Sequence, residues 1–149
     1  MRAVVQRIRN ARVLSEGRVS GELAAGLLVY LGVAEGDTEK DAEYLAEKIG
    51  TLRIFEDQEG KMNLAVAEAG GGVLTISQFT LLADARKGRR PSYSKAAPPD
   101  RAKALYEYFM EKIRARGLPC ESGVFQTHMM VSYTNDGPVT ILLDSKKTF

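Results

Sequence analysis

An α/β (α+β) chain, with a mixed β-sheet curled toward a barrel and two main helices, is the fold class this sequence predicts. Three observations predict it: apolar runs of strand length that outnumber the helical stretches, apolar residues at helical spacing in two separate windows, and turn-forming residues between them. At 149 residues, 44% hydrophobic and 27% charged, the chain is long enough to bury a core, and residues 1–149 are expected to form one domain.

Met1 to Arg12 reads as extended, with Val5 and Ile8 set among Arg2, Arg7, Arg9 and Arg12, and the chain turns back at Glu16-Gly17. Gly26 to Val33 is an apolar run bounded by glycines, as expected of a central strand covered on both faces. Thr38 is an N-cap with Asp41 after it; Ala42, Leu45, Ala46 and Ile49 then recur at helical spacing up to Gly50. Leu52 to Phe55 reads as a short strand, Asp57 to Gly60 as a turn, and Val73 to Thr80 as an alternating strand led in by Gly70-Gly71-Gly72. Asp84 to Pro99, rich in Arg and Pro, is a long surface loop. Asp100 to Arg116 places Ala102, Leu105, Tyr106, Phe109 and Ile113 on one helical face, stopped by Gly117 and Pro119. His128 to Tyr133 and Val139 to Leu143 read as two closing strands joined by a turn at Thr134 to Pro138.

Composition narrows the function. Nothing at the start combines a basic segment, a long apolar stretch and a cleavage site, and no apolar run approaches the ~20 residues that span a bilayer, so a cytoplasmic protein is expected. A single cysteine, Cys120, and a single histidine, His128, argue against an internal disulfide and a zinc site; no metal and no cofactor are expected. The net charge of +2 is too mild to argue for nucleic-acid binding by itself. Phosphate-binding, dinucleotide-binding, serine-elbow and HExxH motifs are all missing.

Three polar segments remain. In Ser77-Gln78-Phe79-Thr80, strand alternation would set a hydroxyl and an amide side by side, a pair able to bind or activate an ester; the plainer reading is a strand end satisfying its own backbone. Asn135-Asp136-Gly137-Pro138-Val139-Thr140 is explained by turn chemistry alone, and only about 5–6% of X-Pro bonds in folded proteins are cis. Arg86, Lys87, Arg89 and Arg90 form a cationic cluster that is either a solvated loop or a contact for nucleic-acid phosphates.

Together and in this order, the first two segments resemble the signature pair of the bacterial-type D-aminoacyl-tRNA deacylases. The resemblance runs along nearly the whole chain, through Met1 to Arg7, Leu31 to Ala34, Leu52 to Phe55, Lys61 to Leu64, Arg86 to Ser92 and Val139 to Ser145. It implies a hydrolase that cleaves the ester of D-aminoacyl-tRNA, with tRNA as its partner. It also implies a homodimer with both active sites at the subunit interface, where Gly137-Pro138 in the cis form projects into the other subunit's pocket. Ser77, Gln78, Phe79 and Thr80 would be catalytic; Gly137, Pro138, Asn135, Phe125 and Met129 would bind substrate and select its chirality.

Rejecting an L side chain sterically needs no pocket for any particular D side chain, and glycine should pass the same filter, so glycyl-tRNA is an expected second substrate. Either Thr80 is a nucleophile, or the tRNA's terminal 2'-hydroxyl helps activate water while Gln78 and N–H groups near Phe79 and Thr80 stabilise the oxyanion; the absence of an evident base favours the second. Gln126 and Thr127 depart from the smaller residues common in relatives. The competing readings are a non-catalytic tRNA binder of the same fold and a small-ester hydrolase.

Overall fold

The computed structural model describes residues 1–149. Its strands are β1 (Arg2–Ser15), β2 (Arg18–Gly32), β3 (Phe55–Glu56), β4 (Met62–Leu64), β5 (Gly72–Ser77), β6 (Cys120–Ser122) and β7 (Met129–Asp144). Helix α1 spans Glu39–Thr51, helix α2 Pro99–Ala115, and a 3₁₀ turn Phe79–Leu82 follows β5.

β1 and β2 are a long antiparallel hairpin whose turn falls at Glu16-Gly17, both at positive φ (49° and 77°), the conformation that suits a two-residue connection between twisted strands. The five-stranded sheet runs β6-β5-β2-β1-β7, with β2 central as its apolar run implies. β5 pairs parallel to β2 and β6 parallel to β5; the two crossovers carry α1 and α2. β3 and β4 form a separate two-stranded ribbon.

Both helices lie over one face of the sheet. There Leu45, Ile49, Leu105, Phe109 and Ile113 meet Val5, Leu27, Val29, Leu31 and Val73 in the main core. Each such side chain, wholly withdrawn from water, contributes about 1.5–3 kcal/mol relative to an exposed one. At the start of α1 the Thr38 N–H donates to the Asp41 carboxylate at 2.8 Å, as the spacing predicts. Within the core the Tyr106 hydroxyl donates to the Thr75 carbonyl at 3.0 Å, and burial pushes the phenol up to about 12. The opposite face has a smaller cluster, Ile8, Ala11, Val13, Leu28, Leu74 and Ile76, against which Tyr30, Met129, Val131 and Tyr133 pack half-exposed.

Several expectations are corrected. The sheet does not close into a barrel: β6 and β7 are its two edges and do not pair with each other. Leu52 to Ile54 are not a strand, because Leu52 caps α1 and the Ile54 carbonyl is taken by a side chain, that of Arg7; only Phe55–Glu56 pair, with β4. β5 stops at Ser77, so Gln78 and Thr80 do not alternate on a strand but enter the 3₁₀ turn. The closing segment is one strand and not two. Asn135 pairs with Ile8 and Thr140 with Gln6, so residues 136–139 bulge out opposite Arg7 while β7 continues in the same direction along β1. The Gly137–Pro138 peptide within that bulge is cis. β4 and β6, three residues each, had too little periodicity to be read from sequence.

Candidate active site

A cleft of about 1290 Å³ opens beyond the C-terminal ends of the parallel strands β2 and β5, the end at which open α/β sheets place their ligands. Its walls are Tyr30, Leu31 and Val33 from β2 and its exit, Ser77, Gln78 and Phe79 from the end of β5, Tyr93 and Ala96 to Pro98 from the long loop with Pro99 opening α2, and Phe125 to His128 with Met129 opening β7.

The floor is fixed by backbone. The Gln78 N–H donates to the Leu31 carbonyl at 2.8 Å, and the Gln78 carbonyl accepts from Leu81 at 3.2 Å, turning the chain sharply after β5. Gly32 makes that approach possible, because a Cβ there would lie 2.9 Å from the Gln78 carbonyl oxygen and 2.6 Å from Leu82 Cδ2. The turn brings the Gln78 side-chain amide onto the Thr80 hydroxyl, to which Nε2 donates. Amide and hydroxyl thus meet as expected, but by a turn and not by alternation. The Phe79 and Thr80 N–H groups open the 3₁₀ turn and donate to no acceptor in the chain. Chemically, three consecutive residues offer two backbone donors and a carboxamide, a set suited to oxygen bearing negative charge.

Two aromatic rings form the rim: Phe79, 56% exposed, meets Tyr93, 40% exposed, edge to face with centroids 5.2 Å apart. Neither Tyr93 nor the cleft-lining Tyr30 and Glu35 was singled out from sequence; the signal available for Tyr93 was an aromatic inside an otherwise polar loop. Burial, reinforced by the neighbouring Tyr133 phenol, pushes the Tyr30 hydroxyl well above its usual range. On the far wall Gln126 holds a left-handed φ of 60°, in a turn closed by the Thr127 hydroxyl donating to the Val124 carbonyl at 2.8 Å. The single histidine, His128, also lines the cleft.

Ser77, Gln78, Phe79, Phe125 and Met129 are therefore brought together at the cleft, with Thr80 joined to them through Gln78. Asn135, Gly137 and Pro138 are not. They sit in the β7 bulge on the outer edge of the sheet, away from the walls of their own chain's cleft. The bulge is nonetheless tightly held. Arg7, nearly buried, donates through Nε to the Asp136 carbonyl at 3.1 Å and through Nη1 to the Ile54 carbonyl at 2.8 Å. Asn135 closes the bulge, its Oδ1 accepting from the Val139 N–H at 3.2 Å. Gly137 has φ of 132°, and a Cβ on it would meet the Val139 nitrogen at 3.0 Å. Arg7 was read only as a charge in a β stretch, since nothing local marks it as the brace of a segment 129 residues away.

Arg86, Lys87, Arg89 and Arg90 sit on the exposed tip of a loop closed by paired backbone hydrogen bonds between Asp84 and Ser92 at 2.8 and 2.9 Å. Arg86 donates to Asp84 at 2.8 Å, which holds that carboxyl well below the usual range.

Comparison with known proteins places the whole chain in a family. Residues 4–144 match the family model described as D-Tyr-tRNA(Tyr) deacylase. Proteins named D-aminoacyl-tRNA deacylase from Koribacter versatilis, Alkaliphilus metalliredigens and Thermotoga petrophila are 64%, 61% and 57% identical to the chain, covering 100% of it and 100% of each relative. Among solved structures, one named c-Myc DNA Unwinding Element Binding Protein superposes with a TM-score of 0.90 at 38% identity, covering 97% of this chain and 98% of that one. A probable eukaryotic D-amino acid tRNA deacylase shares the fold, with a TM-score of 0.80 at 19% identity over 96% of this chain and 98% of that one. The family match and these relatives define a hydrolase of carboxylic esters. More narrowly, the chain belongs to the D-Tyr-tRNA(Tyr) deacylase family, and its activity is that of a D-aminoacyl-tRNA deacylase. No helix is long and apolar enough to cross a membrane.

Proposed function

We propose that the protein edits aminoacyl-tRNA as a homodimer, each cleft being completed by the Gly137-Pro138 bulge of the other subunit, and that this bulge admits D and rejects L esters. The observation that carries the reading is the separation of two structured half-sites: the cleft is lined by Ser77, Gln78 and Phe79 where the 3₁₀ turn begins, while the braced bulge stands on an outer strand outside its own chain's cleft. The open face beside it suits a partner, with Leu142 59% exposed on β7. A two-fold interface would supply the bulge reciprocally.

In this reading the ester carbonyl points at the Phe79 and Thr80 N–H groups and the Gln78 amide, which stabilise the oxyanion as water attacks. The tRNA's own 2'-hydroxyl assists the water. Thr80 receives a hydrogen bond from Gln78 and orients it; it is not the nucleophile. An aminoacyl ester is already activated, so positioning and a few donors suffice. A bulge that rejects by steric exclusion passes glycine, making glycyl-tRNA a substrate; inertness toward it under conditions that deacylate D-tyrosyl-tRNA rules this part out. The exposed tip cations, Arg86, Lys87, Arg89 and Arg90, contact tRNA phosphate.

The deciding experiment mixes two impaired chains. Gln78→Ala spoils the cleft and Gly137→Ala spoils the bulge. If the bulge acts across the interface, subunit exchange yields hybrid dimers with one intact site, restoring about a quarter of wild-type activity at equal mixing. If the bulge serves its own chain, mixing restores nothing.

A further inference from the structure

The hydrogen bonds that hold the bulge do not end at Asn135. The Asn135 side-chain nitrogen donates to the Thr140 hydroxyl oxygen at 3.2 Å, and that oxygen also accepts from Gln6 Nε2 at 3.1 Å. Gln6 Oε1 in turn accepts from the Tyr133 hydroxyl at 2.6 Å. Thr140 and Asn135 are the two ends of the bulge, so this chain of side chains staples its base. Each amide is engaged at both its oxygen and its nitrogen, which fixes which way it faces. Tyr133, half-buried against the open face of the sheet, supplies the first donor, and the phenol of Tyr30, a wall of the cleft, lies beside it.

Arg7 and this chain brace different parts of the bulge. Arg7 reaches the Asp136 carbonyl from the helix-covered side, whereas Tyr133 and Gln6 hold the Asn135 and Thr140 side chains from the open face. A bulge that discriminates two enantiomers by steric fit must be stiff, since a displacement of about 1 Å admits the excluded form. The same-face strand neighbours of Tyr133, Val131 and Met129, are apolar, so Tyr133 is the residue there that offers Gln6 a donor.

We propose that Tyr133 is a positioning residue for stereoselection: acting through Gln6 and Thr140, it holds Asn135 and hence the Gly137-Pro138 bulge in the geometry that excludes L esters. The proposal rests on the reading of that bulge as the selecting element.

The test measures the ratio of D-tyrosyl- to L-tyrosyl-tRNA deacylation in the full-length protein for Tyr133→Phe, Thr140→Val, Thr140→Ser and Gly137→Ala. Tyr133→Phe keeps the ring and removes only the donor. It is expected to lower the ratio about three- to tenfold, the effect of one hydrogen bond, through faster L hydrolysis and with little change in melting temperature. Thr140→Val is expected to do the same, Thr140→Ser to restore the wild-type ratio, and the Tyr133→Phe/Thr140→Val pair to fall no further than the worse single change, since both cut one chain. A wild-type ratio in Tyr133→Phe and Thr140→Val, alongside a lowered one in Gly137→Ala, overturns the proposal and leaves the bulge as selector. A wild-type ratio in Gly137→Ala as well overturns that underlying reading.

Discussion

Ser77 to Thr80 and Asn135 to Thr140 are both short polar runs next to apolar strand residues, yet the protein builds them in opposite ways. The first turns inward. Gln78 is locked by main-chain bonds to Leu31 and Leu81, and the segment forms the floor of a cleft. The second turns outward as a bulge on an edge strand, and its rigidity comes from side chains of a neighbouring strand, Arg7 and Gln6. A backbone-locked floor tolerates side-chain change except where a side chain touches substrate. A side-chain-braced bulge depends on residues that touch nothing but protein. If the floor carries the chemistry and the bulge the selection, as proposed, the two should fail separately.

The largest expected effect is on the floor. Gln78→Ala should cut the single-turnover rate on D-tyrosyl-tRNA on the order of 100-fold, the usual consequence of losing an oxyanion donor, with the D-to-L ratio little changed. A rate within threefold of wild type would move the chemistry away from Gln78. Next is Gly137→Ala, which introduces a Cβ 3.0 Å from the Val139 nitrogen at a φ of 132°. It should lower D-ester turnover by about tenfold and blunt stereoselection while the core stays folded, because the strain is confined to the bulge. Parallel rate and selectivity losses in both variants would erase the distinction between the two regions.

Arg7→Met keeps an apolar stem but strips partners from the Ile54 and Asp136 carbonyls. It should cost about 1–3 kcal/mol in urea unfolding and relax selectivity, whereas Thr80→Ala should leave stability intact. Reversing the charges of Arg89 and Arg90 should weaken tRNA binding at low salt and reduce the slope of log affinity against log salt by about one per lost contact, with the D-to-L ratio unchanged. Unchanged affinity makes the loop a solvated surface. Smallest of all, Thr80→Ala should retain most of the single-turnover rate; a trapped acyl ester on Thr80 would reverse the assignment of its role.

Much of the scaffold was legible because local rules and tertiary packing agreed. The hairpin at Glu16-Gly17, the central strand through Leu27 to Leu31, helix α1 behind Thr38 and the helix through Leu105, Phe109 and Ile113 all appear as their patterns require. Where they disagreed, packing prevailed. Leu52 to Ile54 carry strand-forming residues, but the helix end and the Arg7 bond occupy their backbone. Thr134 to Pro138 carry every mark of a hairpin turn, yet both flanks find the same partner strand, which makes the segment a bulge.

The sequence by itself determined the two helices and the long strands, which depend on residue types and short-range periodicity, and its resemblance to a known family pointed to the deacylase class. Tertiary structure alone decided that Gln78 meets Thr80 around a turn, that the cleft is completed by Tyr93 and Tyr30, and that Arg7, Gln6 and Tyr133 hold a bulge more than a hundred residues away from the first two. The physical reason is that a hydrogen bond between distant strands is set by register, and register follows from the burial of the whole sheet face, not from any local pattern along the chain.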